Sequence, residues 1–202
     1  MSSPTTAKPP FVAAILLIVA GLVGLYGSFT LVVEKIGLLE NPKQALSCDI
    51  NPFVSCTNVI NSAQSHLFGF PNPLLGVSGF VAPVAVGIGL LAGARFARWY
   101  WVAFNVGLFL SWVFVTWLFT QTVYAIGSLC PWCMLVWSVT IPMFWIFTVW
   151  NVATGRLTGN ETLRRRARAF LPYSWIVPAI NYLVIVAIIL QHFPLLPSYL
   201  FG

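Results

Sequence analysis

The stretch PLLGVSGFVAPVAVGIGLLAGARFARWYWVAFNVGLFLSWVFVTWLFTQTVYAI, Pro73 to Ile126, holds two uncharged apolar runs joined by only Arg95, Phe96, Ala97 and Arg98. Each run exceeds the roughly 20 residues that carry a helix across the hydrocarbon of a bilayer. A connection of four residues leaves the second run no course except back alongside the first, so the stretch predicts an antiparallel pair of membrane-spanning helices, 73–94 and 99–126. The surrounding sequence continues the pattern. Phe11 to Val33 and Pro131 to Trp150 are further uncharged runs, and Ser174 to Leu190 is another, in which Pro178 predicts a kink or a late helix start. The first run is too long for the apolar part of a signal peptide and lacks a small-residue cleavage site, so it is read as a span.

Composition agrees. The 202 residues are 59% hydrophobic and 7% charged, with a mean hydropathy of +0.89. Soluble domains carry about 25% charged residues, and a chain this apolar cannot hide its side chains in a water-facing core. The expectation is a single all-α integral membrane domain over 1–202, a four-helix transmembrane bundle with a fifth transmembrane helix at 174–190. The formal charge of +6 does not point to nucleic acid, because the basic residues lie in short loops between apolar runs, where they act as topology signals. No nucleic-acid motif, phosphate-binding glycine loop or carboxylate cluster for a hard metal is present.

Lys8, Arg95, Arg98, Arg156, Arg164, Arg165, Arg166 and Arg168, eight of the ten basic residues, fall on one face when successive spans alternate sides. That face is expected to be cytoplasmic, with the N-terminus on it, in a multi-pass protein of the inner or plasma membrane. The Arg164–Arg168 run is a topogenic, headgroup-binding loop, and Trp99, Tyr100 and Trp101 form an interfacial belt. The opposite face receives the loop 34–72 and the turn before Pro131. All four cysteines, Cys48, Cys56, Cys130 and Cys133, lie in or beside these two segments, on the side where disulfides persist.

Cys130-Pro131-Trp132-Cys133 is a Cys-x-x-Cys motif at the start of the fourth span. Pro131 suits the first helical position and makes Cys130 the N-cap, where a sulfur meets unpaired N–H groups and the positive end of the helix dipole. Cys133, three residues on, lies about 4.5 Å deeper on nearly the same face. A protein partner in water hardly reaches it, whereas a quinone in the bilayer does. Cys130 is thus expected to exchange with thiols and Cys133 to pass electrons to a membrane acceptor. Asn51 and Pro52 favour a turn that could bring Cys48 and Cys56 together. Two structural disulfides in a non-catalytic scaffold would also account for four cysteines on this face, and a four-cysteine zinc site would need the loop folded over the helix end.

Cys48-x7-Cys56-Thr57, Ser62, the run Phe68-Gly69-Phe70-Pro71-Asn72-Pro73-Leu74-Leu75-Gly76 and Cys130-Pro-Trp-Cys133 together resemble the vitamin K epoxide reductase family in its bacterial form, over about Phe11 to Trp150. The resemblance implies that the first four spans surround a quinone of the menaquinone or ubiquinone type, with no metal. It implies that Cys48 faces a thioredoxin-fold protein, that Cys56 exchanges with Cys130, and that Cys133 is nearest the quinone. Asn72 matches a position whose amide hydrogen-bonds a quinone carbonyl. Trp137, one turn after Cys133, stands where relatives carry a ring that contacts the quinone, and it offers an indole N–H and a stacking face. Ser62 falls at a family position at the bundle end, and His66 reads as interfacial. Some relatives carry a fused thioredoxin-like domain. This chain ends at Gly202, so a separate DsbA-like partner is expected, with the chain itself working as a monomer.

Overall fold

A computed structural model describes residues 11–196. Lys8, the first of the basic residues counted above, lies outside the described residues. The described chain is helical, with no named strand: α1 Phe11–Glu40, α2 Cys56–Ile60, α3 Pro73–Leu91, α4 Arg98–Gln121, α5 Pro131–Ala153, α6 Glu161–Phe170 and α7 Ile176–His192. Four helical segments are long and apolar enough to cross a membrane: α1, α3, α4 extended through Ile126, and α5. Helix α6 with its following turn and α7 make a fifth such segment if counted together, bent by 57°. The chain is therefore an all-α membrane bundle.

The most extensive contact of the bundle is α1 with α3, and small residues bring it together. Helix α4 packs instead on α5, so the expected pairing of α3 with α4 does not form, and both helices line a cavity. Along α1 the buried positions Leu17, Gly21, Gly24, Ser28 and Leu31 recur at alternating steps of four and three, which keeps one stripe facing its neighbours. Lipid tails are as apolar as the helices, so close van der Waals approach has to drive their association. On α3, a Cβ at Gly87 would lie 2.8 Å from the Ala14 carbonyl oxygen and 2.7 Å from Ile18 Cγ1 of α1. Only glycine permits that approach. Helix α1 also runs on past Val33 to Glu40, about two turns beyond the end of its uncharged run. Charge ends the apolar run but not the helix, because Glu and Lys are good helix formers.

At the arginine-bearing end, the turn between α3 and α4 meets the segment after α5. Arg98 donates to the Leu157 carbonyl (3.0 Å), and the Arg156 guanidinium lies over the rings of Trp150 (3.7 Å) and Trp101 (4.5 Å). Helix α6 is capped by Asn160, whose side chain accepts from the N–H groups of Thr162 and Leu163. Helix α7 begins at Ile176, so Pro178 falls in the first turn, where its missing N–H costs no intrahelical bond. This late start is one of the two outcomes Pro178 allowed. Helix α7 leans on α5, where the Tyr182 hydroxyl donates to the Ser138 carbonyl.

At the cysteine-bearing end, α4 closes in a π-helical turn, Thr122–Ile126, and Gly127 adopts φ +72° as its N–H bonds the Thr122 carbonyl at 3.0 Å. A left-handed residue there reverses the chain cheaply only as glycine. Ser128 and Leu129 then lead into α5 with no slack, which holds Cys130 at the end of the bundle.

Candidate functional site

Cys130 caps α5. Its backbone is extended and its sulfur accepts from the Cys133 N–H at 3.4 Å, with Pro131 in the first helical position. The loop carrying Cys48 and Cys56 is clipped to this same turn through backbone hydrogen bonds. Leu129 N–H donates to the Phe53 carbonyl (2.8 Å) and Ser55 N–H to the Leu129 carbonyl (2.9 Å), a one-residue bridge, while the Asn58 amide donates to the Ser128 hydroxyl (2.9 Å). Ser128 is buried, so the amide satisfies a hydroxyl that would otherwise be costly there.

The clip sets the sulfur geometry. Cys48 and Cys56 are joined as a disulfide, with Cα atoms 5.6 Å apart, while Cys130 and Cys133 are free thiols. Cys56 Sγ lies 3.3 Å from Cys130 Sγ, and both residues are buried. Reacting atoms held about 3 to 3.5 Å apart need little further motion to exchange. Cys48 is also covered, at 4% exposure, beneath Leu38 and Leu46. Glu34, Cys48 and Cys56 bring their ligand atoms within 4.8 Å of one another. Two of those three donors are consumed by the disulfide, and a metal needs thiolates.

Asp49 organises the loop. It accepts from the hydroxyls of Thr57 (2.6 Å) and Ser55 (2.7 Å) and from the N–H groups of Thr57 (3.1 Å) and Leu46 (3.2 Å). Burial pushes its carboxyl up, but these four donors outweigh that and hold it at about 2. Ser55 in turn caps α2, the short helix that Cys56 opens.

Beneath the cysteines is a cavity of about 430 Å³ enclosed by α1, α3, α4 and α5. Its wall is largely apolar, with Leu31, Phe80, Phe104, Leu118, Met134 and Val136. Ser62, Gln64, Ser65 and Asn72 are among its polar groups near the loop, and Ser28, Ser111 and Thr140 add others from the helices. Both Cys130 and Cys133 line it, as does Trp137, whose ring meets Phe119 (6.5 Å) and Tyr182 (6.0 Å). The size and the largely apolar wall are those of a small-molecule site. Asn72 is buried in the cavity wall. Its side chain ties the preceding loop together, accepting from Leu67 N–H (3.1 Å) and donating to the Gln64 carbonyl (2.7 Å). Ser62 donates to the Val59 carbonyl (2.7 Å), and His66 contacts the Ser65 hydroxyl (2.7 Å).

Glu34, Asp49, Asn58 and Ser128 escaped the reading of the sequence. Glu34, Asn58 and Ser128 gain their places from residues 13 to 76 positions away, while Asp49 is held by neighbours within its own loop.

A disulfide in contact with a free Cys-x-x-Cys pair, set at the lip of an apolar cavity inside a membrane bundle, is the apparatus of a membrane thiol–disulfide oxidoreductase. Residues 15–148 match the family model described as the Vitamin K epoxide reductase family, and the chain belongs to that family. Membership brings a quinone-linked disulfide chemistry in general terms. Comparison with curated proteins finds no match.

Proposed function

We propose that this protein reoxidises a DsbA-like, thioredoxin-fold protein on the extracytoplasmic side of the membrane and passes the electrons to membrane quinone. The 3.3 Å contact between Cys56 and Cys130, above a cavity lined by Cys133, carries this reading. A partner thiolate attacks Cys48 Sγ, the Cys48–Cys56 bond breaks and Cys56 leaves as a thiolate. The partner's second thiolate then attacks the partner's own sulfur in the mixed disulfide and releases Cys48. For the first attack the partner must displace Leu46 and its neighbours, which cover Cys48.

Cys56 next attacks Cys130 of an oxidised Cys130–Cys133 pair. A Cys56–Cys130 bond forms and Cys133 is released as a thiolate facing the cavity. Cys48 attacks Cys56 to reseal the outer disulfide, and Cys130 leaves with the electron pair. A bound quinone supplies an acceptor for two electrons and two protons, which lets Cys130 and Cys133 close again. The cavity wall is largely apolar, Trp137 offers a ring face one turn from Cys133, and Asn72 has an amide in the wall. For Asn72 to hydrogen-bond a carbonyl it must use the N–H that the Gln64 carbonyl leaves free.

The test mixes purified protein with a reduced DsbA-like protein and a short-chain ubiquinone and follows quinone absorbance. Wild type should show thiol-dependent reduction and Cys133→Ala none. No wild-type turnover, or turnover retained without Cys133, sinks the relay and leaves a scaffold held by disulfides.

A further inference from the structure

Glu34 sits on α1 one residue past the uncharged run, half-buried at the edge of the cysteine site. Among the described residues the ion pairs are those of Glu161 with Arg164 and Arg168, so no cation is within pairing distance of Glu34. Lys35, next on the helix, turns its ammonium to the Ile60 carbonyl (3.4 Å). Asp49, across the loop, is committed to Ser55, Thr57 and Leu46. Glu40 and Lys43, at the end of α1 and just beyond it, are exposed to solvent. The Glu34 carboxylate meets the loop instead: Oε1 accepts from the Ser47 hydroxyl, and Oε2 lies 3.1 Å from Cys48 Sγ.

While Cys48 is in a disulfide it has no proton to give, and the carboxylate oxygen faces a sulfur it cannot bond as an acceptor. Opening the disulfide supplies the missing donor. The geometry points to Glu34 as the general base for Cys48 in the step that reseals the outer disulfide, an assignment that rests on the relay proposed above. Oε2 takes the thiol proton as Cys48 Sγ attacks Cys56 Sγ of the Cys56–Cys130 mixed disulfide. The Cys48–Cys56 bond forms, the Cys56–Cys130 bond breaks, and Cys130 departs as a thiolate with the electron pair. The proton passes from Glu34 to water at the exposed edge beside Ser47. Without a base, the attack has to wait for the few per cent of a free thiol that ionises near pH 7.

The test uses the full chain in nanodiscs, all four cysteines reduced, mixed with a short-chain ubiquinone and quenched in acid. Alkylation and peptide mapping score the Cys48–Cys56 bond, while quinone absorbance reads the inner pair in the same mixture. Wild-type resealing should be level through neutral pH. Glu34→Gln should slow it on the order of 10²-fold at pH 7 and make it rise about tenfold per pH unit towards the thiol range. Added formate should restore the rate of Glu34→Ala in proportion to its concentration. Ser47→Ala, which removes the loop's hold on the carboxylate but not the base, should keep the level profile. Glu34→Gln with the wild-type rate and profile overturns the assignment, as does a Glu34→Ala variant indifferent to formate. If the variants cannot form the outer disulfide at all, the wild-type profile decides, and resealing that climbs about tenfold per pH unit through neutral pH overturns it. Wild type that leaves quinone unreduced refutes the relay, before any disulfide is scored.

Discussion

Two of the four sulfurs are close enough to exchange without rearrangement. With Cys48 and Cys133 both replaced by alanine, Cys56 and Cys130 have only each other, and the 3.3 Å separation predicts that mild oxidation joins them quantitatively within one chain. Non-reducing peptide mapping checks this, and intermolecular dimers as the main product would contradict it. Residue by residue, the sequence was most informative where chemistry is local. Helical rise and an N-capping proline motif are enough to rank Cys130 above Cys133 in depth, and the sulfur does cap α5. Asn72 shows where local reading divides: beside two prolines it looks like a turn residue, the family motif makes it a cavity residue, and its amide braces the loop while lining the wall. Glu34 could not be found in this way. Its contact with Cys48 spans 14 positions and depends on how α1 continues past its apolar run.

At the scale of elements, the α1–α3 seam and the cysteine loop are held by different forces. The seam depends on closeness. Gly87→Ala places a methyl group against the backbone of α1 at Ala14, which cannot swing aside like a side chain, and overpacking of this kind costs about 1–3 kcal/mol. A lower unfolding midpoint in detergent measures it, and an unchanged midpoint would mean that the helices can separate freely. The loop depends on a charge. Asp49 is held at about 2, below its usual value near 3.9, so its contribution is fully present above about pH 4 and lost as pH falls towards 2. Protection of the amides around Leu46 and Thr57 against hydrogen exchange, taken relative to the intrinsic rate at each pH, should fall over that window. In Asp49→Asn the same amides should lose this pH dependence. The spans themselves were legible because an uncharged run of adequate length leaves a chain no alternative in lipid. The ends were less so: α1 outlasts its run because helix propensity and membrane thickness obey different limits.

For the molecule as a whole, composition decided the solvent, but the short Arg95–Arg98 connection did not decide the packing, since α3 packs on α1 and α4 on α5. Neither indicates that the loop after α1 folds back onto the start of α5, since the bridge from Leu129 to Phe53 and Ser55 is made by backbone groups, which carry no side-chain signature. That bridge has a consequence for how the protein competes in a cell. It does not depend on any sulfur–sulfur bond, so reduction of the outer pair leaves Cys56 tethered beside Cys130 rather than loose on a long loop. In the relay proposed above, the inner exchange then runs at an effective concentration that no dissolved thiol approaches, since well-oriented intramolecular partners reach about 10⁵ M or more. On that proposal, millimolar small thiols in the surroundings can contend for Cys48 but are outpaced at Cys56, which insulates the wiring inside the bundle from the redox noise outside it.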